Sequence, residues 1–480
     1  MKTLFINPPY TNFEGMRESG GHMPPLSFGY LAAYIREKNA GFEFKILDSE
    51  ALGLNYKQIL DSIIDYNPQI VAITTPTSAM KHVYKISQMA KNFNQDIYVV
   101  LGGVHATVMP ERTLKECPAA DFIILGEGEE TFCALLLALK TKSKNFGDIN
   151  GLCFNQNGKI IKKEKVNLIS DLDTIPFPAR DLYQLDLYCS APTKKVSDEN
   201  ATPILTSRGC PLNCIHCPSR NIWKGFVRYR SAENVVREIE ECIYKYNLRE
   251  FNFFDDTFTI NKKRAIDICN KIREKELDIY WICFSRSNTI DDELVRHMKE
   301  AGCRKISFGL ESGDQEILDL MRKKTTVEMG RKAVRIVRKY GIPVHASFML
   351  GNVGETENSI KKTISFATNL DLDNATFFIT TPFPGTDLYN IAEKLGNVDE
   401  STPWENFAPL TNAPPVLVQS NLSKEALVYW QKKAFRKFYL RPRYIVRKMK
   451  SLNSIEGAKT VLEGIRILLR ILKKTDKKQR

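Results

Sequence analysis

Twice along this 480-residue chain, short apolar runs alternate with longer helical stretches, and that alternation restricts the fold more than any other feature. In residues 1–145 it predicts strands at Thr3–Asn7, Phe42–Leu47, Ile70–Thr74, Tyr98–Leu101 and Phe122–Leu125. Helices are expected at Ser27–Lys38, Tyr56–Tyr66, Lys81–Phe93 and after Glu129. Such a pattern builds a parallel sheet with helices on both faces, a doubly wound, Rossmann-like α/β domain. Residues 201–400 repeat the alternation, with strands at Ile204–Thr206, Glu250–Phe254, Tyr280–Phe284, Lys305–Phe308, Val344–Met349 and Thr376–Thr380. Six β/α units predict a partial barrel, short of the eight units of a closed one.

Between the two lies a connector, residues 146–200. Gly151–Lys163 reads as a hairpin turning at Asn157-Gly158, and Leu172–Asp181, with Pro176 and Pro178, as a stiff linker holding one domain over the mouth of the next. The remainder, 401–480, is basic and mostly helical. Residues 431–480 hold 17 Lys+Arg against 3 Asp+Glu, so the net charge of +13 lies in the tail and the rest of the chain sums to −1. Within it Val461, Leu462, Ile465, Leu468, Leu469 and Leu472 recur at helical spacing beside Arg466, Arg470, Lys473 and Lys474. Docking on its own protein is the leading expectation for this basic amphipathic helix, ahead of peripheral contact with a membrane surface. Nucleic acid is a weaker expectation, because no nucleic-acid-binding motif accompanies the basic residues.

The chemistry concentrates in Arg208–Cys217, where Cys210, Cys214 and Cys217 stand in C-x3-C-x2-C spacing on a loop broken by Gly209, Pro211 and Asn213. Such a loop can turn three thiolates toward one centre, as iron–sulfur clusters require. Structural zinc wants four ligands, commonly as two pairs, and no second pair lies nearby in the sequence. Three ligands on a four-iron cube would leave one iron open for a substrate or cofactor.

Polar residues gather where the predicted strands end. In the second domain these are Asp255-Asp256, Ser285-Arg286, Gly309–Gly313 with Glu311 and Ser312, Gly351–Thr356 with Gly354, and Thr381–Thr386. One acidic pair alone would be read as a helix cap, but five polar strand ends on one rim mark an active site. In the first domain the loops Thr74–Ser78, Gly102–Thr107 and Gly126–Glu130 suggest a ligand site at successive strand ends. No G-x-G-x-x-G follows the first strand, which disfavours a nicotinamide dinucleotide.

The cysteine spacing resembles that of the radical S-adenosylmethionine (SAM) superfamily. There the open iron of a 4Fe–4S cluster chelates SAM, and the reduced cluster cleaves it to a 5′-deoxyadenosyl radical. The residue before the third cysteine is usually aromatic in that family; here it is His216, which could still stack on adenine. The resemblance implies that Asp255 and Asp256 hold the SAM amino group, that Arg286 and Glu311 contact its carboxylate and ribose, with Ser312 beside them, and that Gly351 and Gly354 approach adenine. The order of the N-terminal pieces resembles the cobalamin-binding domain fused to such enzymes. Asn7-Pro8-Pro9, Pro24–Ser27, Tyr30–Ala33, Gly102–His105 and Gly126–Glu129 carry that likeness. It implies cobalamin contacts at Asn7, Pro8, Thr75, Thr77, Gly102, Gly103, His105, Gly126, Glu127 and Glu129. The Asp-x-His-x-x-Gly signature of histidine-ligated corrinoid proteins is absent, so His105 is read as locally hydrogen-bonded rather than as a cobalt ligand.

The likeness covers residues 1–400 and implies a cobalamin-dependent radical SAM enzyme that methylates an unactivated carbon. SAM would methylate cobalamin, and a second SAM would generate the radical that activates the substrate. The same machinery also serves cyclisation, oxidation or rearrangement without methyl transfer. A methylthiotransferase needs N-terminal cluster cysteines, and residues 1–116 contain none. From another class, a non-catalytic iron–sulfur or zinc protein is the alternative. The expected partners are a small-molecule or natural-product substrate and an external one-electron reductant. Eleven cysteines without a signal-peptide pattern, and no apolar run longer than the Cys133–Leu139 type, predict a cytoplasmic protein with free or ligating thiols.

Overall fold

The computed structural model describes residues 1–10, 22–38, 41–143, 145–164, 167–191, 194–197, 199–408, 415–418 and 421–450. Strands β1 (Lys2–Asn7), β2 (Glu43–Asp48), β3 (Ile70–Thr74), β4 (Tyr98–Gly102) and β5 (Phe122–Ile124) form a parallel sheet in the order β2-β1-β3-β4-β5. Its central strands are buried on both faces, hence their unbroken Val/Ile/Leu/Phe runs. One face packs Phe5 against Phe28, Phe44 and Phe132; the other packs Ile6, Val71, Ile73 and Leu101 against the helix Met80–Phe93 and its neighbours.

The Asn157-Gly158 hairpin forms as expected, from β6 (Leu152–Gln156) and β7 (Lys159–Lys162), with both turn residues at positive φ. It does not stand apart as a connector. β6 pairs antiparallel with β5 and extends the first sheet to seven strands. Alternation in the sequence marks a hairpin but carries no signal for which open edge it will satisfy.

The linker then crosses to the second domain as a buried strap. Arg180, 1% exposed, pairs with the fully buried Glu238 at 2.6 Å, and Tyr183 donates to the Pro25 carbonyl at 2.7 Å while accepting from the Gly29 amide. Strand β8 (Ala201–Ile204) leads to the two-residue β9 (Ser207–Arg208), which pairs antiparallel with β10 (Arg228–Tyr229) and so pinches off the cysteine loop between them. β8 then joins β11 (Glu250–Phe253), β12 (Tyr280–Ser285), β13 (Cys303–Glu311), β14 (Val344–Leu350) and β15 (Asn374–Ile379). These six strands are all parallel, in the order β15-β14-β13-β12-β11-β8, an open barrel segment with helices outside. The first strand ends two residues earlier than expected, because Thr206 turns off to bond with the end of β11.

The start of the tail docks on its own protein. The helix Lys424–Tyr439 buries Trp430 and packs Phe435 and Phe438 against Phe377 of β15, and Tyr439 donates to the Ala375 carbonyl. Arg441 caps the helix Glu357–Asn369 through the Thr368 carbonyl, and Arg447 pairs with Asp371 and Asp373. The amphipathic stretch around Val461–Lys474 lies outside the described residues. No described helix is long and apolar enough to cross a membrane.

Candidate active site

Gly209 sets the path of the cysteine loop. Its φ is +104°, and a Cβ there would come 2.0 Å from the Phe226 carbonyl oxygen, so only glycine fits between β9 and Cys210. The far side of the loop is tied down by two backbone bonds, Ile215 N to Met321 O and Leu388 N to Ile215 O, with the Ile215 side chain buried against Leu388 and Val418. Cys210 and Cys214 are half-buried and Cys217 is exposed. Arg286 at the end of β12 reaches within 3.9 Å of the Cys214 sulfur. Burial first, then Asp256 and the neighbouring thiols, push Cys217 up to about 11 and Cys210 upward as well. Left to themselves these groups stay protonated; a cationic centre is what converts such a set to thiolates. Among the described residues no three of His, Cys, Asp and Glu converge on a single ion.

The strand-end residues divide into those that face the loop and those that build the walls. Asp255, 2% exposed, accepts from the Thr206 amide at 2.7 Å, the Thr206 hydroxyl and the Ser207 hydroxyl, which locks β8 to β11. Asp256 points outward, bonded to Ser219 at 3.0 Å and close enough to Cys210 and Cys217 to affect both. Glu311 sits at φ +61°, with its carboxylate folded back over Gly309 and paired with the buried Lys323 at 2.8 Å. Ser312 is fully buried and bonds to Thr363 and the Asp314 amide, so it supports the loop from behind. Gly351 (φ +91°) and Gly354 (φ +74°) frame a turn whose amides Gly351 N and Asn352 N converge on the Glu355 carboxylate. Burial pushes that acid up to about 7. His216 is desolvated down to about 4, in the field of Glu311, Lys323 and Arg286, and its Nδ1 is buried with no partner. An orphaned ring nitrogen beside three charged groups is what a polar ligand would satisfy.

At the carboxyl ends of β1, β3, β4 and β5 a cavity of about 210 Å³ opens toward the second domain. Gly102, Gly103, Gly126 and Gly128 floor it, Phe5, Phe28 and Phe132 wall it, and Glu127, Glu129, Arg208 and Trp223 close its rim. A side chain on Gly103 would meet Thr74 Oγ1 at 3.0 Å and Thr75 N at 3.1 Å, so the floor needs a bare backbone there. This is a cradle for a bulky, largely apolar group. Five of the first-domain candidates, Gly102, Gly103, Gly126, Glu127 and Glu129, line it. The others lie elsewhere. Thr75 is buried, tying the Gly102 carbonyl to the Ala106 amide. Thr77 faces His105, whose ring is fully buried edge-on beneath Trp404, 4.5 Å between centroids. Pro8 is buried, and Asn7 bonds to Asp48 beside a different cavity.

One group escaped the sequence reading. Arg208 reaches Glu127 and Glu129 at 2.7 Å each, and Arg228 reaches Glu127 at 2.8 Å, so the cavity rim and the cysteine loop are joined by a buried ionic lattice. Only the position of Arg208, two residues before Cys210, hinted at it; the pairing spans 79 residues or more. Lys323 gave no signal at all, being one basic residue in a run of three.

Comparison with known proteins agrees with this geometry. Residues 204–367 match the radical SAM superfamily and residues 15–136 the B12 binding domain. An uncharacterized methyltransferase of Pyrococcus horikoshii, PH0819, is 38% identical over 93% of this chain and 94% of its own length. The anaerobic magnesium-protoporphyrin IX monomethyl ester cyclase of Rubrivivax gelatinosus is 30% identical, over 93% of this chain and 78% of its own. Among solved structures, the radical S-adenosylmethionine methyltransferase TsrM from Kitasatospora setae, with cobalamin and a 4Fe–4S cluster bound, shares the fold. Its TM-score is 0.68 at 19% identity, covering 91% of this chain and 81% of TsrM.

Proposed function

This chain belongs to the radical SAM enzymes that carry a B12-binding domain, and from that premise we propose that it is a cobalamin-dependent methyltransferase acting on an unactivated carbon of a small molecule. The observation that carries the reading is the adjacency of its two sites. Arg208 closes the rim of the glycine-floored cavity and stands two residues from Cys210, so the group in the cavity and the group on the cysteines would meet across one boundary. When bound, cobalamin supplies the methyl group, and SAM at the iron–sulfur cluster supplies the radical that activates the acceptor.

The chain's own residues position and enclose these groups. Cys210, Cys214 and Cys217 hold the cluster and leave one iron for SAM. Asp256, Glu311, Arg286 and His216 contact SAM, while Gly351 and Gly354 let the backbone approach its base. Asp255 and Ser312 act one layer back, fixing β8, β11 and the Glu311 turn. Gly102, Gly103, Gly126, Glu127 and Glu129 cradle cobalamin. On this division of labour residues 1–145 carry cobalamin, 201–400 carry the cluster and SAM, and 146–200 and 401–480 hold the two together. The protein acts in the cytoplasm with an external one-electron reductant; surface contact with a membrane rests on the basic composition of 431–480 alone.

The Rubrivivax relative supports a second reading, a cyclisation by the same machinery without methyl transfer. The deciding experiment is anaerobic reconstitution with iron, sulfide and hydroxocobalamin, followed by desalting and a visible spectrum. Retained corrinoid together with cluster absorbance is expected. A cluster without corrinoid removes the methyltransferase reading, and zinc in place of iron removes the radical SAM reading. Turnover with methyl-labelled SAM then separates the two chemistries, because only methyl transfer leaves label in the product.

A further inference from the structure

A second cavity, about 220 Å³, lies where the ends of β1 and β2 meet the linker residues Ala191 and Lys194 and strand β11. Its walls come from both domains and the linker between them: Tyr10, Asp48 and Glu50 from the first, Lys194 from the linker, Asn252 and Phe254 from the second. Of the residues the resemblance assigns to cobalamin or SAM, Asn7 alone lines it.

Three features of its lining are unresolved within the protein. The Asp48 carboxylate is 5% exposed and accepts only from neutral donors: Asn7 Nδ2 at 2.8 Å, the Ala51 amide at 3.1 Å and the Tyr188 hydroxyl at 3.0 Å. Among the described residues it has no cationic partner. Asn252, 1% exposed, donates its Nδ2 to Ser190 Oγ at 3.0 Å and faces Met23 Sδ at 3.4 Å, but its Oδ1 is buried with no donor. A buried carbonyl without a donor is costly and calls for one. Lys194 is half-buried, its ammonium 4.8 Å from the Phe284 ring centroid and 5.9 Å from that of Phe254, with no acidic partner among the described residues. The negative character of the opposite wall shows in Tyr10, whose hydroxyl is pushed up to about 12 by burial and then by Glu50 and Asp48.

We propose that this cavity seats the methyl acceptor, and that the acceptor is a small zwitterion of the amino-acid class. Its ammonium group lies against Asp48 and Asn252 Oδ1, and its carboxylate against Lys194. The identification of the occupant as methyl acceptor rests on the methyltransferase reading; its chemical class rests on the lining alone. At about 30 Å³ per water the cavity holds roughly seven waters, room enough for a ligand of about ten non-hydrogen atoms.

The test is calorimetric titration of the reconstituted holoenzyme with each of the twenty protein L-amino acids. The tightest ligand is then compared with its decarboxylated amine and its deaminated acid. At least one amino acid is expected to bind with a Kd of about 1 mM or tighter. Removing either charged group should weaken binding at least about tenfold. In Lys194→Met the amino acid should lose its advantage over the amine while the amine's own affinity stays unchanged, a shift that simple loss of folding does not produce. Asp48→Asn should instead erase the advantage over the acid. The proposal is overturned if no amino acid binds the parent, if Lys194→Met weakens amino acid and amine alike, or if protoporphyrin IX binds in their place. Iron and corrinoid content of the same samples report on the methyltransferase reading separately, so the failure of one is distinguishable from the failure of the other.

Discussion

His105 shows how far a single residue can be read before its neighbours are known. A histidine after a Gly-Gly turn at a strand end invites assignment as a metal ligand, and only the missing Asp-x-His-x-x-Gly pattern spoke for a local role. In the fold it is buried under Trp404, a residue 299 positions away by number, and desolvation lowers it to about 4. The folded state therefore binds fewer protons at this site than the unfolded chain between about pH 4 and 6.5. The stability it contributes is fully present above pH 6.5 and drains away as the pH falls. Between pH 7 and pH 5 this one group should remove about 2 kcal/mol from the unfolding free energy. Urea denaturation at the two pH values should show a smaller difference in His105→Gln than in the parent; an equal difference would place the titration elsewhere. Gly209 is the opposite case, since a glycine before the first cysteine was legible and its reason, a carbonyl 2.0 Å from any Cβ, was not.

Among the elements, the short β9–β10 pair and the loop after β5 matter most. They carry the buried Arg208, Glu127 and Glu129 and the half-buried Arg228, and together they clamp the first domain to the cysteine loop. A buried ion pair is a weak source of net stability, but removing one partner leaves a charge stranded. Glu127→Gln strands the Arg228 guanidinium, leaves Arg208 with Glu129 alone and also alters the cavity rim. It is expected to lower the unfolding free energy by about 3–5 kcal/mol and to release corrinoid on desalting. Denaturant midpoints and the spectrum after desalting check both effects. Retention of corrinoid at parental stability would show that the lattice is dispensable.

For the molecule as a whole, the two sites are built on separate sheets and share only a boundary. On the proposed assignment Cys214→Ala removes a cluster ligand without touching the glycine-floored cavity, whose lining includes no cysteine. Its iron content and SAM cleavage should fall to background while corrinoid retention stays at the parental level. Loss of both cofactors together would mean that the cluster loop is needed to form the first cavity. The basic tail belongs to this scale too, since Arg441 and Arg447 spend their charge on the protein's own helix end and on Asp371 and Asp373.

Local pattern alone determined a good deal of this protein. The five parallel strands and the six, their order along the chain and the Asn157-Gly158 hairpin all follow from periodicity and turn chemistry, and the proposal of a cluster on the three cysteines follows from their spacing. Each of those signals acts within a few residues of itself. Only the tertiary structure decided which edge the hairpin extends, that Asp255 braces while Asp256 faces the thiols, and that Lys323 meets Glu311. It alone brought Asp48, Asn252 and Lys194 to one cavity. Those are pairings between residues far apart in the chain, chosen by which buried charges and open edges find each other when the two sheets close. No short stretch of sequence records that choice.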